Sequence, residues 1–525
     1  MARIGVLGGI AALALVFGLL FRLHPYAMGA DRITQFFITE DGYLMLTLAR
    51  NLAIGLGLSV SEGTIASNGV QPLATLIYSI GFWLVDGHKV GGVAIVLGMM
   101  VLFWIAAALA VRRFAEVVLG PDLPDGGGMR LALAAWAVAA LWSVGPLSVR
   151  HSMNALETGL YVLCVVLFVL VFGRIAGQAR RLSTGEMLTL GAMAGLAFWA
   201  RNDAVFLIAS LFFVRFVYGW TLAAVGFVRA FWEGLVAGVV SLVIGLPWLL
   251  HNKIYFGSFV PISGTSQSHA AEIGGNLGIL PAKLFETMFP MLPLPAFAET
   301  SFVVQVALSI VVLAVWISFL WRIWRAGHPF RLALLGYSLF GVLQCLYYGT
   351  FFGAPHFLSR YLFPLSPLLV TAAVAQLIWL TGRLRVPRLA EAGLGGAILL
   401  GMALTFSLAL PGRSDQMHFQ VVNWVRENVP QEDWVAAVQT GTLGFWHDRT
   451  INLDGKVNPD ALQALLTEGH FFTYVVQNEK IRWMADWYGM AAFGEEERAG
   501  FRDVFEVVVA DEGQNLAVLR RVTPE

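Results

Sequence analysis

The stretch GGVAIVLGMMVLFWIAAALAV, residues 91–111, decides the class of fold, and Arg112 and Arg113 follow it at once. Its 21 residues carry no charge and match the helix length that crosses about 30 Å of hydrocarbon. Similar runs recur from residue 4 to residue 410, and the 525-residue chain is 58% hydrophobic and only 13% charged. An ordinary soluble domain carries about twice that share of charge. The sequence therefore predicts a multi-span membrane protein.

Eleven apolar runs are predicted to cross the membrane. They cover residues 4–21, 91–111, 130–149, 158–173, 186–200, 203–219, 232–250, 301–321, 332–350, 361–380 and 389–410. The first run has the position of a signal peptide, but it is longer than most, and no small-residue cleavage site follows it. We therefore expect an uncleaved first span. Cys164 and Cys345 lie inside apolar runs and indicate nothing about the redox compartment.

Clusters of arginine set the predicted orientation, because basic loops stay in the cytoplasm. Residues 1–410 hold 24 Lys and Arg, of which 15 are Arg3 or belong to the clusters at 112–130, 174–181, 215–229, 322–331 and 383–388. If these clusters are cytoplasmic, the N terminus lies inside. Regions 22–90, 150–157, 201–203, 251–300 and 351–360 then lie outside. This arrangement requires the apolar stretch 70–86 to lie in the interface without crossing; if it crossed, the clusters from 112 onward would face outside.

The hydrophobic runs stop at residue 410, and the balance of charge reverses there. Residues 1–410 hold 24 basic and 16 acidic side chains, whereas residues 411–525 hold 10 and 18. We predict an all-α transmembrane domain at 1–410, with a long first outer loop at 22–90, and a small extracytoplasmic α/β domain at 411–525. In the second part we expect helices at 416–428, capped by 414–415, at 459–467 and at 480–491. Strands are expected at 434–438, 449–453, 472–476, 503–510 and 515–520.

The first outer loop holds the polar residues that point to chemistry. Residues 39–43 read Thr-Glu-Asp-Gly-Tyr, residues 49–53 Ala-Arg-Asn-Leu-Ala, and residues 68–73 Asn-Gly-Val-Gln-Pro-Leu. Asp41 is placed to cap a helix that runs through Ile54 and lies on the membrane surface, and Glu40 is a favourable charge at its start. Pro72 is placed to begin the 70–86 helix. A carboxylate at the end of a rigid helix also suits proton abstraction from a sugar hydroxyl, so both roles stay open for Asp41.

These motifs resemble the first outer loop of bacterial GT-C glycosyltransferases, which include protein mannosyltransferases, aminoarabinose transferases and mycobacterial arabinofuranosyltransferases. In that family an acidic pair precedes an Ala-Arg-Asn-Leu helix, and Pro-Leu begins an interfacial helix. Glu40 stands where many relatives have the first Asp, and Asp41 matches the second. The resemblance implies that Asp41 is the base that activates the acceptor hydroxyl, with Glu40 as a further catalytic candidate. It also makes Asn68 and Gln71 candidates for substrate binding.

Two later segments resemble the same family. Residues 154–158, Asn-Ala-Leu-Glu-Thr, match its Gly-Leu-Glu-Thr, with Ala155 where Gly is usual. The resemblance implies a catalytic role for Glu157 and a substrate contact for Asn154; a carboxylate that stabilises a helix start is the structural alternative. Residues 360–364, Arg-Tyr-Leu-Phe-Pro, match its Arg-Tyr-x-x-Pro. This match implies that Arg360, with Tyr361, holds the donor phosphate, and an arginine snorkelling to the interface is the alternative.

A further segment, Tyr-Phe-Gly at 255–257, also resembles the family, but Thr-Ser-Gln at 265–267 stands where relatives have a lysine. Lys253 or His251 is a candidate replacement. Tyr255 is either a substrate contact or part of an aromatic belt. Arg201 lies in a tight turn, where it either assists phosphate binding or simply pairs with Asp203.

The resemblance implies a glycosyltransferase that moves a sugar from a polyprenyl-phosphate donor to a hydroxyl of a glycan, lipid or protein acceptor, with inversion. The expected location is the extracytoplasmic face of a bacterial cytoplasmic membrane. The partners are membrane lipids and these substrates, with no nucleic acid. We expect no metal or other cofactor, because a monophosphate carrier needs less charge neutralisation than a diphosphate.

A lipid or solute transporter is the main alternative. Transporters usually carry internal repeats and mid-span charges, and neither is evident here. A polymerase or ligase of whole lipid-linked glycans is a second alternative, but its large outer loop is expected later in the chain. If Asp41, Glu157 and Arg360 were scattered over more than about 20 Å, beyond a single ligand pocket, a transporter or a purely structural role would be favoured.

Overall fold

A computed structural model of the chain describes residues 4–123, 127–178, 180–222, 225–269, 271–409, 418–491 and 500–522. In chain order the helices are α1 (Ile4–Met28), α2 (Ala30–Gln35), α3 (Glu40–Ala53), α4 (Pro72–Trp83), α5 (Lys89–Leu119), α6 (Gly127–Val144), α7 (Pro146–Ser152), α8 (Thr158–Ala176), α9 (Thr184–Ala200), α10 (Ala204–Thr221), α11 (Phe227–Phe256), α12 (Ile262–His269), α13 (Leu280–Met288), α14 (Phe297–Thr300), α15 (Phe302–Arg325), α16 (Arg331–Thr350), α17 (Leu358–Leu362), α18 (Ser366–Arg383), α19 (Pro387–Ala409), α20 (Phe419–Asn428), α21 (Gly441–Trp446), α22 (Pro459–Glu468), α23 (Phe472–Gln477) and α24 (Phe501–Val504). The strands are β1 (Ser59–Val60), β2 (Ile65–Ala66), β3 (Trp434–Ala437), β4 (Thr450–Asn452), β5 (Ile481–Asp486), β6 (Phe505–Asp511) and β7 (Leu516–Arg521).

Within the described ranges, nine helical segments are long and apolar enough to cross a membrane. The helices α6 and α7 meet at an angle of 70° and make a tenth span if they are one broken helix. The remaining predicted span, 186–200, falls on α9, whose 17 residues extend about 26 Å. The total of eleven therefore stays a prediction. At 70–86 the structure has α4, whose 12 residues extend about 18 Å, too short to cross the hydrocarbon core.

Glycines allow α9 and α11 to pack closely. A Cβ atom at Gly191 would overlap the carbonyl oxygen of Ala237, and one at Gly195 would overlap the side chain of Ile244. Small residues dominate such contacts in membranes because lipid tails give helices no hydrophobic reason to associate, so van der Waals packing holds them together. This packing fixes the end of α9, where the turn containing Arg201 begins.

The C-terminal region contains a five-stranded sheet with strand order β4-β3-β5-β7-β6. Strand β3 runs parallel to β4 and β5, whereas β7 runs antiparallel to β5 and β6. The helices α20 to α24 connect or precede these strands. The predicted combination of an all-α membrane body with a small α/β region is confirmed.

Two predicted elements in this region are wrong. Residues 472–476 form the helix α23, because Phe472 and Val475, three positions apart, place their side chains in the same core. Residues 480–491, predicted as a helix, contain the strand β5. Strand β5 lies between β3 and β7, and its last three residues, 484–486, are all buried. Consecutive burial hides the alternation by which a strand is recognised. The predicted cap at 414–415 lies outside the described residues.

The C-terminal region packs against the first outer loop through several ion pairs. Arg50 and Lys89 both contact the Asp448 carboxylate, at 3.3 and 3.2 Å. Glu62 contacts Arg449 at 2.9 Å. The two parts therefore meet at one end of the helix bundle.

Candidate active site

Asp41 lies in the first turn of α3, but it does not cap the helix. Thr39 is the N-cap: its hydroxyl accepts a hydrogen bond from the backbone N–H of Gly42 at 3.1 Å and donates one to the carbonyl oxygen of Asn154 at 3.1 Å. The predicted capping role of Asp41 is therefore wrong. The apolar face of α3 is also buried in the protein, not spread on the membrane surface, as Tyr43 and Leu46 have no exposed side-chain area.

The segment 154–157 packs against the start of α3. A Cβ atom at Gly42 would overlap the Asn154 carbonyl oxygen, so only glycine allows this approach. Ala155 has φ +62°, a left-handed conformation that favours glycine and explains why glycine is usual in the motif that this segment resembles. The Asn154 side chain accepts a hydrogen bond from Leu156 N–H at 3.1 Å. Asn154 thus shapes the turn that presents Glu157, which is 3% exposed.

Arg201 connects two buried carboxylates. Its Nη1 atom lies 3.6 Å from Glu157 Oε1, and its Nη2 atom lies 3.2 Å from Asp203 Oδ2. The Tyr348 hydroxyl donates to the same Asp203 oxygen at 2.6 Å. The guanidinium of Arg201 also lies 4.2 Å from the centre of the Tyr361 ring. Arg201 thus pairs with Asp203 and also lines the site, and its assistance in phosphate binding stays a prediction.

Arg360 contacts Asp41 directly. Its Nη1 atom lies 3.1 Å from Asp41 Oδ2, and its Nη2 atom donates to the Tyr361 hydroxyl at 3.2 Å. The centre of the Phe357 ring is 4.7 Å from the guanidinium carbon. The buried Nε atom has no hydrogen-bond partner among the described residues. A carboxylate and a guanidinium that are far apart in sequence therefore share one site.

These groups line a cavity of about 350 Å³. Six of the predicted site residues contribute to its wall: Asp41, Gln71, Glu157, Arg201, Arg360 and Tyr361. Gln71 is held in place because its side-chain oxygen accepts a hydrogen bond from the Asn202 backbone N–H at 3.3 Å. The scatter that would favour a transporter is not observed.

Four other predicted site residues lie away from this cavity. Asn154 has the structural role described above. Asn68 is fully buried, donates to Asn252 Oδ1 at 3.0 Å and accepts from Ile262 N–H at 3.0 Å. Lys253 donates to the Gly257 carbonyl oxygen at 2.7 Å, which closes the end of α11. Tyr255 is 72% exposed, as expected of an aromatic belt residue.

Glu40, the further catalytic candidate, does not line the cavity and is bound instead to the C-terminal region. Its carboxylate accepts hydrogen bonds from the backbone N–H groups of Gly441 and Thr442, the latter at 2.9 Å, and from the Thr442 hydroxyl. These groups belong to the start of α21. Glu40 therefore joins the first outer loop to the C-terminal region, while the adjacent Asp41 faces the cavity.

Sequence reasoning missed one cation of the cavity, Lys456. It belongs to the C-terminal region, and its ammonium lies 2.9 Å from Asp454 Oδ2. Burial alone would lower the pKa of Lys456, but the nearby carboxylates of Asp454 and Asp41 raise it above its usual value, so the side chain is cationic. Lys456 directly follows the segment Asn-Leu-Asp-Gly at 452–455 in the sequence. This neighbouring segment was the signal that could have drawn attention to the lysine.

A metal ion finds no ready site among the residues that the structure describes. No group of three or more His, Cys, Asp or Glu side chains within those ranges is arranged to hold one. The expectation that the reaction needs no metal stays a prediction.

Comparison with known proteins gives two kinds of finding. A family model described as a domain of unknown function (DUF8728) matches residues 407–515. No curated protein sequence matches the chain. Among solved structures, ArnT from Cupriavidus metallidurans bound to undecaprenyl phosphate is 14% identical, with a TM-score of 0.57 and coverage of 98% of both chains. The apo form of the same protein is 16% identical, with a TM-score of 0.56 and coverage of 100% of both chains.

The archaeal oligosaccharyltransferase AglB from Archaeoglobus fulgidus, in complex with an inhibitory peptide and a dolichol-phosphate, is also similar. It is 14% identical, with a TM-score of 0.56, and the alignment covers 95% of this chain and 72% of AglB. The chain therefore has the fold of the GT-C membrane glycosyltransferases. The alignment with ArnT covers nearly the full length of both chains, so the residues of the C-terminal sheet fall within it.

Proposed function

We propose that this chain is a glycosyltransferase that transfers a sugar from a polyprenyl-phosphate donor to an acceptor hydroxyl. The observation that carries the proposal is the contact of Asp41 with Arg360 at the wall of one cavity. A base for a hydroxyl and a cation for a phosphate are the two groups that such a transfer needs. The polyprenyl phosphates bound to ArnT and to AglB give independent support for the class of donor.

Asp41 is the base in the proposed mechanism. As its carboxylate takes the proton of the acceptor hydroxyl, the hydroxyl oxygen forms a bond to the anomeric carbon. The bond from that carbon to the phosphate oxygen breaks, and the electron pair leaves with the phosphate. A direct displacement with one base inverts the configuration at the anomeric carbon.

Arg360 stabilises the leaving phosphate. Its planar guanidinium offers paired N–H donors that match phosphate oxygens, and its Nε atom has no other partner among the described residues. Glu157 and Arg201 are proposed to orient this side of the cavity, because Arg201 is fixed between two carboxylates and beside the Tyr361 ring. In this mechanism the side chains supply the charge stabilisation, without a metal or other cofactor.

The proposed setting is the extracytoplasmic face of a bacterial cytoplasmic membrane. In support of this setting, the cavity lining comes from the regions predicted to lie outside, from the adjoining ends of the predicted spans, and from Lys456 of the C-terminal region. The acceptor is a glycan, a lipid or a protein with a free hydroxyl group. The alternative of a non-enzymatic transporter has no comparable observation in its favour.

Complementation of a deletion strain tests the proposal and requires neither substrate to be identified beforehand. The strain should lose one glycan modification, and the wild-type gene should restore it. The Asp41→Asn variant should not, although its abundance in the membrane is normal. Asp31→Asn is the matched control, since Asp31 is an exposed carboxylate in the same outer loop. Restoration by Asp41→Asn at the wild-type level would falsify the assignment of the base.

A further inference from the structure

Lys456 brings a positive charge into the cavity from the C-terminal region. The other two cations of the lining, Arg201 and Arg360, belong to the membrane body. The carboxylates of the lining are Asp41, Glu157 and Asp203, and each of them contacts one of the two arginines. The partner of Lys456 is Asp454, which does not line the cavity. Lys456 is therefore the cation of the lining whose ion-pair partner lies outside the cavity wall.

The backbone around Lys456 is held firmly against the membrane body. A Cβ atom at Gly69 would overlap the Lys456 carbonyl oxygen, so the first outer loop touches this residue directly. The Ser266 hydroxyl donates to the Asp454 carbonyl oxygen at 3.0 Å. The Asp454 side chain also accepts a hydrogen bond from the Lys456 backbone N–H at 2.9 Å. These contacts fix the position from which the lysine side chain reaches the cavity.

Lys456 and Arg360 lie close to the same aromatic ring. The Lys456 ammonium is 5.9 Å from the centre of the Phe357 ring, and the Arg360 guanidinium carbon is 4.7 Å from it. The predicted alternative cation, Lys253, is bound to the Gly257 carbonyl oxygen and does not line the cavity. Lys456 and Arg360 thus lie near one ring of the wall, Phe357, much as Arg201 and Arg360 lie near the Tyr361 ring.

The chemistry of the leaving group calls for a second cation. A polyprenyl-phosphate sugar is a phosphodiester with one negative charge, and the polyprenyl phosphate that leaves is a monoester with up to two. Cations that contact the phosphate oxygens therefore stabilise the product side of the reaction more than the bound donor. One arginine that already pairs with Asp41 neutralises only part of this charge.

We propose that Lys456 binds the phosphate of the polyprenyl carrier together with Arg360, so that the C-terminal region completes the donor site. This inference rests on the proposed function, because it takes the polyprenyl-phosphate carrier as given. The C-terminal region is then part of the reaction centre, and not a separate module for acceptor recognition.

Binding of two carriers that differ only in the phosphate tests this proposal. The full-length protein in lipid nanodiscs is titrated with undecaprenyl phosphate and with undecaprenol. Lys456→Met should weaken binding of undecaprenyl phosphate about ten- to hundredfold, the range expected for one hydrogen bond to a charged group, and should leave undecaprenol unaffected. Lys456→Arg should retain most of the phosphate preference. Lys480→Met, at an exposed lysine of the same region, is the matched control and should change neither affinity.

The outcomes separate the two proposals. If the wild-type protein binds undecaprenyl phosphate no more tightly than undecaprenol, the proposed function fails. If the wild type prefers the phosphate and Lys456→Met keeps that preference, only the role of Lys456 is wrong. An equal loss of both lipids in Lys456→Met would mean that the lysine merely supports the fold, and this result would also overturn the inference.

Discussion

Asp41 and Arg360 neutralise each other in this structure, at 3.1 Å. A phosphate bound to Arg360 competes with the Asp41 carboxylate for the same guanidinium. In the proposed mechanism, arrival of the donor therefore releases the Asp41 carboxylate to act as the base. The ion pair is then the resting state of the proposed site, and its strength sets part of the free-energy cost of binding the donor.

This competition predicts opposite effects of two substitutions on donor binding. Asp41→Asn removes the competing charge, so undecaprenyl phosphate should bind at least as tightly as to the wild type, while transfer should fall by about 10²- to 10⁴-fold, the usual contribution of a general base. Arg360→Met should weaken phosphate binding about ten- to hundredfold and lose transfer as well. Isothermal titration in nanodiscs measures the affinities. Weaker binding by Asp41→Asn would contradict the competition.

The adjacent acidic residues Glu40 and Asp41 show what the sequence could and could not predict about single residues. The pattern indicated that a carboxylate of this pair serves the chemistry, and Asp41 does line the cavity with Arg360. The resemblance implied that Asp41 is the base, but it kept Glu40 as a further catalytic candidate, because the sequence does not reveal that Glu40 contacts Gly441, 401 positions away. Lys456 was missed for the same reason, since its place in the cavity wall goes with a long-range contact between its backbone and Gly69.

At the scale of elements, the contact between α3 and α21 depends on a glycine. A Cβ atom at Gly441 would overlap the backbone carbonyl of Glu40, so Gly441→Ala has to push the two helices apart. We expect a loss of about 1–3 kcal/mol in the free energy of unfolding, typical of overpacking, together with a fall in transfer rate. Urea unfolding of the purified protein measures the first effect.

Gly489→Ala is the matched control for this substitution, because a Cβ atom at Gly489 meets nothing within 4 Å. It should change stability by less than about 0.5 kcal/mol, as surface substitutions usually do. If Gly441→Ala is as stable as this control, the close approach of α3 and α21 is not a feature of the protein in solution.

A buried histidine makes the stability of the C-terminal region depend on pH. His418 Nε2 lies 2.8 Å from Asp486 Oδ1. Burial alone would lower the pKa of His418, but the hydrogen bond and charge of Asp486, with a contribution from Glu40, raise the pKa above its usual value of 6.5. A raised pKa means that the folded state prefers the protonated ring. The stabilisation is therefore complete below pH 6.5 and is lost as the pH rises through the higher pKa of the folded state.

Thermal unfolding across this pH range checks the sign. The wild-type melting temperature should fall as the pH rises from 6 to 9, and His418→Gln should reduce that slope. His470→Gln should keep the wild-type slope, since His470 contacts Glu468 only at 3.8 Å. The same slope in His418→Gln and in the wild type would show that the ring does not titrate in this way.

The sequence predicted some helices and strands correctly and others wrongly. Long apolar runs identified the nine helical segments of the described ranges that can cross a membrane, because length and hydropathy are local properties of the sequence, whereas the orientation drawn from the arginine clusters stays a prediction. Strand β5 and helix α23 were assigned the wrong type, because their side chains are buried by neighbours that the local pattern does not contain. The left-handed conformation of Ala155 is not evident from an alanine in the sequence, because this conformation favours glycine.

At the scale of the whole molecule, the proposed orientation puts the cavity on the extracytoplasmic side. A cysteine at Ala66 in the first outer loop, introduced after replacement of Cys164 and Cys345, should react with a membrane-impermeant maleimide in intact cells. A cysteine at Thr184, predicted to be cytoplasmic, should react only after the membrane is opened. Both positions are exposed in the structure. Labelling of Thr184→Cys but not of Ala66→Cys from outside would reverse the topology and remove the proposed site from that face.

The contact of Glu40 with Gly441 has a consequence for biosynthesis. A ribosome completes the Asp41 helix about 400 residues before it reaches Gly441, since the two contact residues are 401 positions apart. At 5–20 residues per second this interval lasts about 20–80 s. During that time Glu40 lacks its hydrogen-bond partners in α21. A message truncated before codon 441 therefore yields a chain in which the helix that carries Asp41 has no contact with α21.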